Sequence, residues 1–141
     1  MKLKLLLPFL FVIYSCAQDS SIDRDDLIEK AGAPLLNGLG SHSFTISSKV
    51  EGVQDYFNQG LIMAFAFNHA ESIRSFKAAQ KLDPNCAICF WGEALALGPN
   101  INVTSDGKAI MSPQERLDAF ERTKKATALI EFASPKEKDF I

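Results

Sequence analysis

Between residues 48 and 132 the apolar positions return every three or four residues. Val50, Val53, Phe57, Leu61, Ala64 and Phe65 form one stripe, Ile73, Phe76, Ala79 and Leu82 a second, and Ala87, Phe90, Ala94 and Leu97 a third. This is the period of an α-helix with one face against a core. Start signals fall where the stripes begin. Ser48 stands three residues before Glu51, Asn68 before Glu71, Ser112 before Glu115 and Ser134 before Glu137. At that spacing the first side chain accepts a hydrogen bond from a free N-terminal amide, and the Glu accepts one from the cap residue's own amide. Asp83-Pro84 marks a further start, because the first helical turn tolerates a missing N–H. The expected helices run near 49–67, 69–82, 84–97 and 113–132, with another beginning at 135. No sustained polar-apolar alternation separates them, so the expected class is all-α.

The helices also repeat. A shift of 34 residues places Tyr56 on Phe90, Gly60 on Ala94 and Met63 on Leu97, so aromatic meets aromatic, small meets small and medium meets medium. In the first unit Tyr56, Gly60, Ser72, Phe76, Ala79 and Pro84 have the spacing of a tetratricopeptide repeat, which this stretch resembles. It departs from that pattern where the repeat prefers Trp at Tyr56, Leu at Gln59 and Ala at Ser72. The second unit pairs the helix at 84–97 with the one at 113–132, with an insertion at 98–112 that begins Gly98-Pro99-Asn100. There Ala119, Thr123 and Ala126 take the places of Ser72, Phe76 and Ala79. The runs Phe57-Asn58-Gln59-Gly60, Phe67-Asn68-His69-Ala70-Glu71, Asp83-Pro84-Asn85-Cys86-Ala87 and Trp91-Gly92-Glu93-Ala94-Leu95 resemble a group of exported bacterial tetratricopeptide proteins with no assigned reaction. The resemblance covers roughly residues 38 to 141. It implies a right-handed α-solenoid of helical hairpins, the first helix of each pair lining a concave groove for an extended peptide. Phe57, Leu61, Trp91 and Leu95 would face that groove, and aromatic side chains are favoured anchors in such sites. Trp91 as a core residue is the competing reading.

Ahead of the repeats the composition changes. Lys2 and Lys4 precede an apolar run from Leu5 to Tyr14, broken only by Pro8 and ending in Ile13-Tyr14-Ser15-Cys16. The run falls well short of the roughly 20 residues a membrane-spanning helix needs, and its layout is that of a signal peptide over 1–15. The terminal Ser15-Cys16 resembles a bacterial lipobox, although Leu is usual where Ile13 stands. That resemblance implies a lipid on Cys16, a membrane anchor through it, and a place in the bacterial cell envelope facing the periplasm or the exterior. Residues 16–47 read as a tether. Asp23 to Lys30 would form one short helix ended by Gly32, and Gly38-Leu39-Gly40-Ser41-His42-Ser43 is too rich in Gly and Ser for a regular element.

Charge narrows the partners. Losing Lys2 and Lys4 with the signal leaves 13 of the 15 basic residues against 17 acidic ones, a net of about −4. Lys and Arg form no cluster, so there is no electrostatic footprint for nucleic acid. The remaining cysteines, Cys86 and Cys89, stand at the start of a helix, where the helix dipole lowers a thiol pKa. No βαβ pattern flanks them and no His follows Cys89, which leaves out the usual haem attachment motif. A zinc site needs four ligands, and there is no second cysteine pair. A disulfide between the two is the plainer expectation in an oxidising compartment. Of the histidines, His69 is expected to fix the turn between two helices by hydrogen bonding rather than to bind metal. Neither a Gly-x-Ser-x-Gly elbow nor a phosphate loop is present. The expectation is a membrane-anchored interaction scaffold without a catalytic residue, cofactor or metal. The alternative is an exported enzyme or redox accessory protein using Cys86 and Cys89 or a domain beyond Ile141. Ser134-Pro135 opens a helix only seven residues from the end, and Leu117, Phe120, Leu129 and Ile130 would lie uncovered on the last full helix. Repeat arrays need about three units, so the chain is expected to continue.

Overall fold

The computed structural model describes residues 23–99 and 111–141, which contain six α-helices, one 3-10 turn and no strand. These are α1 (Arg24–Ala31), α2 (Val53–Phe65), α3 (His69–Leu82), α4 (Ala87–Leu97), α5 (Pro113–Ala128) and α6 (Pro135–Lys138), with the 3-10 turn at Ile130–Phe132. The protein is all-α. The expected signal peptide, Cys16 and most of the expected insertion at 98–112 lie outside the described residues. Each long helix packs on the next in sequence: α2 on α3, α3 on α4, and α4 on α5.

Two of the capping boxes form in full. Ser112 and Ser134 each accept from the amide of the Glu three residues on, and Glu115 and Glu137 accept from the cap amides in return. Asn68 accepts from the Glu71 amide at 3.3 Å. The other two starts differ from expectation. Ser48 does not cap α2; its hydroxyl donates to the Asp83 carboxylate instead. The helix begins at Val53, after Gly52 at φ 80°. A Cβ on Gly52 would stand 2.4 Å from a Leu27 methyl, so this glycine both makes the turn and admits α1. Asp83 likewise opens a turn and not a helix. Its carboxylate accepts from the Asn85 amide at 3.0 Å, and α4 begins after Cys86. Val50 therefore falls outside the helix and is 46% exposed, while Phe65, on the last turn of α2, is 72% exposed.

The core is centred on Phe76, fully buried on α3. Its ring lies between two glycines: a Cβ would come within 2.9 Å of it from Gly60 of α2 and within 2.4 Å from Gly92 of α4. Phe57 meets the same ring edge-on at 5.5 Å. All three departures from the repeat pattern have hydrogen-bonding roles here, that of Tyr56 being described below. Ser72 donates to the Gly60 carbonyl at 2.7 Å, tying α3 to α2. Gln59, buried where Leu was expected, serves three partners described below. A second cluster joins Ala87 and Phe90 of α4 to Ala126, Leu129 and Ala133. Leu129 is thus buried, because the chain turns at the end of α5 and carries it inward, whereas Leu117 and Phe120 are exposed as expected.

One buried charge crosses three helices. Glu93 of α4 is 1% exposed and accepts from Gln80 Nε2 at 2.7 Å. Lys77 of α3 and Arg122 of α5 stand 3.6 and 3.4 Å from its carboxylate oxygens. A buried carboxylate is tolerated only with such partners.

Candidate functional site

The largest correction concerns the stretch expected to be a tether. Beyond α1 the chain turns and runs along α2 in contact with it, and Leu27, Ala31, Ala33 and Ile46 are all buried in the core. What holds it is a row of polar side chains on α2. Tyr56 donates its hydroxyl to the Ala33 carbonyl at 2.6 Å, and burial pushes that phenol up against a smaller downward pull from Arg24. Gln59 accepts from the Leu36 amide at 2.7 Å and donates to the Pro34 carbonyl at 3.0 Å and to Ser75 at 2.9 Å. One residue earlier on α2, Asn58 accepts from the Phe44 amide at 3.1 Å. Gln54 donates to the Phe44 carbonyl at 2.9 Å and accepts from the Ile46 amide at 3.0 Å.

The pattern over residues 44–47 is that of a strand edge without a partner strand. The N–H and C=O of Phe44 and the N–H of Ile46 all address one side, as alternate residues of an extended chain do. Side-chain amides of α2 stand where a neighbouring strand's backbone would be. The opposite edge is held by the C-terminal segment. Glu137 accepts from the Ser47 amide at 3.0 Å, and Ser47 donates its hydroxyl to the Phe132 carbonyl at 3.0 Å. Burial works to raise the Glu137 carboxyl, but the hydrogen bonds from Ser134 and Ser47 together outweigh it and hold it below the usual carboxylate range. The cap at Ser134 thus serves to seat a buried carboxylate against the 44–47 segment.

Above this segment is an apolar cavity of about 250 Å³. It is lined by Phe57, Leu61 and Phe65 of α2, Trp91 of α4, and His42, Phe44 and Phe140. Phe140 packs on Phe44 at 5.4 Å and on Trp91 at 5.3 Å, and the Lys136 ammonium lies 4.2 Å from the centre of the Phe44 ring. Of the four residues expected to face a groove, Phe57, Leu61 and Trp91 come together here, and Leu95 does not: it is 44% exposed and lies outside the lining. Phe57 and Leu61 are not an open floor either, being 1% and 7% exposed. The Phe44 ring, 6.0 Å from that of Phe57, packs against the core cluster to which both belong.

The other candidates are placed plainly. Cys86 and Cys89 are bonded to each other with their Cα atoms 5.3 Å apart; Cys89 is fully buried, while Cys86 edges a second opening of about 250 Å³ with Ser48, Lys49 and Asp83. His69 does not fix its turn by hydrogen bonding, since both ring nitrogens are buried without a partner. The turn is held by backbone, Asn68 N–H to the Met63 carbonyl at 2.9 Å and Phe67 at φ 61°. Among the described residues no group of three or more His, Cys, Asp or Glu is placed to hold a metal ion, and no helix is long and apolar enough to cross a membrane. No protein-family model matches the chain, and no curated protein or solved structure matches it either.

Proposed function

We propose that this protein is a lipid-anchored helical-repeat scaffold of the bacterial cell envelope, and that it binds a protein or peptide partner at the aromatic cavity between α2 and α4. The observation that carries the reading is the cavity itself, with Phe57, Leu61, Phe65 and Trp91 on consecutive first helices of the two hairpins. Aromatic side chains gathered in a concave apolar site suit anchoring of a partner side chain better than they suit proton transfer. The stepwise packing of α2 to α5 supports a tetratricopeptide-type solenoid as the frame. The anchor rests on Ser15-Cys16 at the end of the apolar run. Two acyl chains on one residue give stable membrane attachment where a single chain does not.

Photo-crosslinking in the native cells tests the binding reading. A benzophenone amino acid at Phe65, which lines the cavity and is 72% exposed, should give a protein adduct of discrete mass. The same group at exposed Lys30 of α1 should not. Equal adducts at both positions, or none at either, would reject the site. The anchor has its own test. Cys16→Ser should move the protein from the membrane fraction, and mass spectrometry of the mature N-terminus should find an acylated Cys16; an unmodified Ala17 terminus would exclude the lipid. A redox role is favoured only by the opening beside Cys86.

A further inference from the structure

The structure assigns residues 43–47 as a built-in occupant of a groove for extended peptides, whose partner carries an aromatic residue two places before an aliphatic one and binds by displacing them. This rests on the groove reading above and gives it a ligand class. Three features of the seated segment define that class. First, Gln54 and Asn58 take up the N–H and C=O of residue 44 and the N–H of residue 46, and the one side-chain bond they add to the segment is from Asn58 to the Ser43 hydroxyl at 3.1 Å. Any residue but proline satisfies these bonds, and a main-chain hydrogen-bonded strand with pockets for alternate side chains is a recurrent way to bind a peptide. Second, the side chains alternate. Phe44 joins the aromatic lining, Thr45 is exposed, and Ile46 is 4% exposed in the core beneath. The first pocket accepts a flat ring beside Phe57 at 6.0 Å; the second accepts a branched aliphatic side chain. Third, the α2 residues that hold the segment, Asn58 and Gln54, are neutral and Thr45 is exposed, while the charges that do face it, Lys136 over the Phe44 ring and Glu137 on the Ser47 amide, meet a ring and a backbone N–H and not a charged side chain.

The way the segment is held also bears on its displacement. On α2 the segment is held by the backbone bonds at Phe44 and Ile46, by the Ser43 hydroxyl on Asn58 and by the Phe44 and Ile46 side chains, and the opposite edge is closed by the C-terminal segment through Glu137 and Phe132. Both closures are made by side chains rather than by a continuous ladder, so they open one contact at a time. A partner strand entering along α2 would meet the same amides and the same two pockets. While the segment is seated, apparent affinity falls by the fraction of time the groove is free. A segment away less than about a tenth of the time weakens binding by more than about tenfold.

The experiment uses the full chain in detergent and a fluorescein-labelled peptide, Ser-His-Ser-Phe-Thr-Ile-Ser-Ser-Lys, the sequence of residues 41–49. Binding is read by fluorescence anisotropy. Phe44→Ala should bind this peptide at least about tenfold more tightly than the wild type, because its own segment no longer fills the aromatic pocket. Adding Asn58→Ala to that variant should remove the binding, as should replacing the peptide's Phe with Ala. Should Phe44→Ala fail to fold, Glu137→Gln, which loosens only the outer edge, should still raise the affinity several-fold over the wild type. Wild type and variant binding equally tightly would overturn self-occupancy while leaving the groove in place. Binding by neither folded protein would overturn the inference, and crosslinking at Phe65 would then judge the groove by itself.

Discussion

Gly92→Ala sets two effects of opposite sign against each other. Gly92 lies inside α4, where Ala is the better helix former by about 1 kcal/mol. Helix propensity alone therefore predicts a more stable protein. Packing predicts the reverse. The added methyl carbon would sit 2.4–2.6 Å from three atoms of the Phe76 ring, where ordinary carbon contacts are about 3.5–4.0 Å. A ring on a free surface would step aside by about an ångström. Phe76 has no such room, because Gly60 of α2 closes the other side to 2.9 Å and Phe57 stands edge-on at 5.5 Å. Overpacking of this kind costs about 1–3 kcal/mol, and a ring pinned from both sides belongs near the upper end. The net expectation is a loss of about 1–2 kcal/mol after the propensity gain. Urea unfolding followed by circular dichroism would show a midpoint lower by about 1 M for a slope of the usual size. Phe76→Leu in the same chain should make the Gly92→Ala change smaller or favourable, giving a coupling that a double-mutant cycle can read. A Gly92→Ala variant that is as stable as the wild type, or more so, would refute the close approach of α3 and α4 at Phe76.

Acid should release the C-terminal segment. The folded Glu137 carboxyl lies below its unfolded value of about 4.3, so its contribution is complete above that pH and is lost as pH falls through the lower folded value. Trp91, the only tryptophan and 5.3 Å from Phe140, should report the release by a change in emission below about pH 4, and Glu137→Gln should show the released signal already at neutral pH. The Cys86–Cys89 bond closes a loop of sequence separation 3, small enough that loop entropy gives it only about 2 kcal/mol. Cys86→Ala with Cys89→Ala should therefore lower the unfolding free energy from urea melts by about 2 kcal/mol and leave any peptide affinity unchanged. A thiol-exchange activity lost in a normally folded double variant would instead favour the redox alternative.

Much of the helical frame was legible because its signals are local. The apolar stripes that contain Phe57, Phe76 and Phe90, one on each of α2, α3 and α4, and the Ser-Pro-x-Glu runs at 112 and 134 are each written within a single helix or its first turn. Ser48 misled because its hydroxyl had two suitors: a capping position three residues before Glu51, and Asp83 thirty-five residues on, which won. Asp83 was then no longer a helix cap but the hub of a turn. The segment 33–47 was illegible for a different reason. Its hydrogen-bond partners are side-chain amides at Gln54, Asn58 and Gln59, so no alternation or turn motif within the segment records them. The signal that was present lay on α2. Gln59 stands where the repeat prefers Leu, and Ser72 where it prefers Ala; each is a buried polar residue that needs a partner. Glu93 carried a similar signal as the sole charge in α4, Ala-Ile-Cys-Phe-Trp-Gly-Glu-Ala-Leu-Ala-Leu.

Everything said of the groove depends on residues 43–47 being seated on α2. Amide hydrogen exchange of the full chain at neutral pH measures this directly. The Phe44 and Ile46 amides, bonded to Asn58 and Gln54, should be protected well beyond the rate of an unstructured peptide, while the Thr45 amide, for which the structure gives no such bond, should exchange faster than either. Asn58→Ala should strip the protection from Phe44 while leaving α3 and α4 slow. Exchange of Phe44 and Ile46 at free-peptide rates, in a protein whose helices remain protected, would contradict the account.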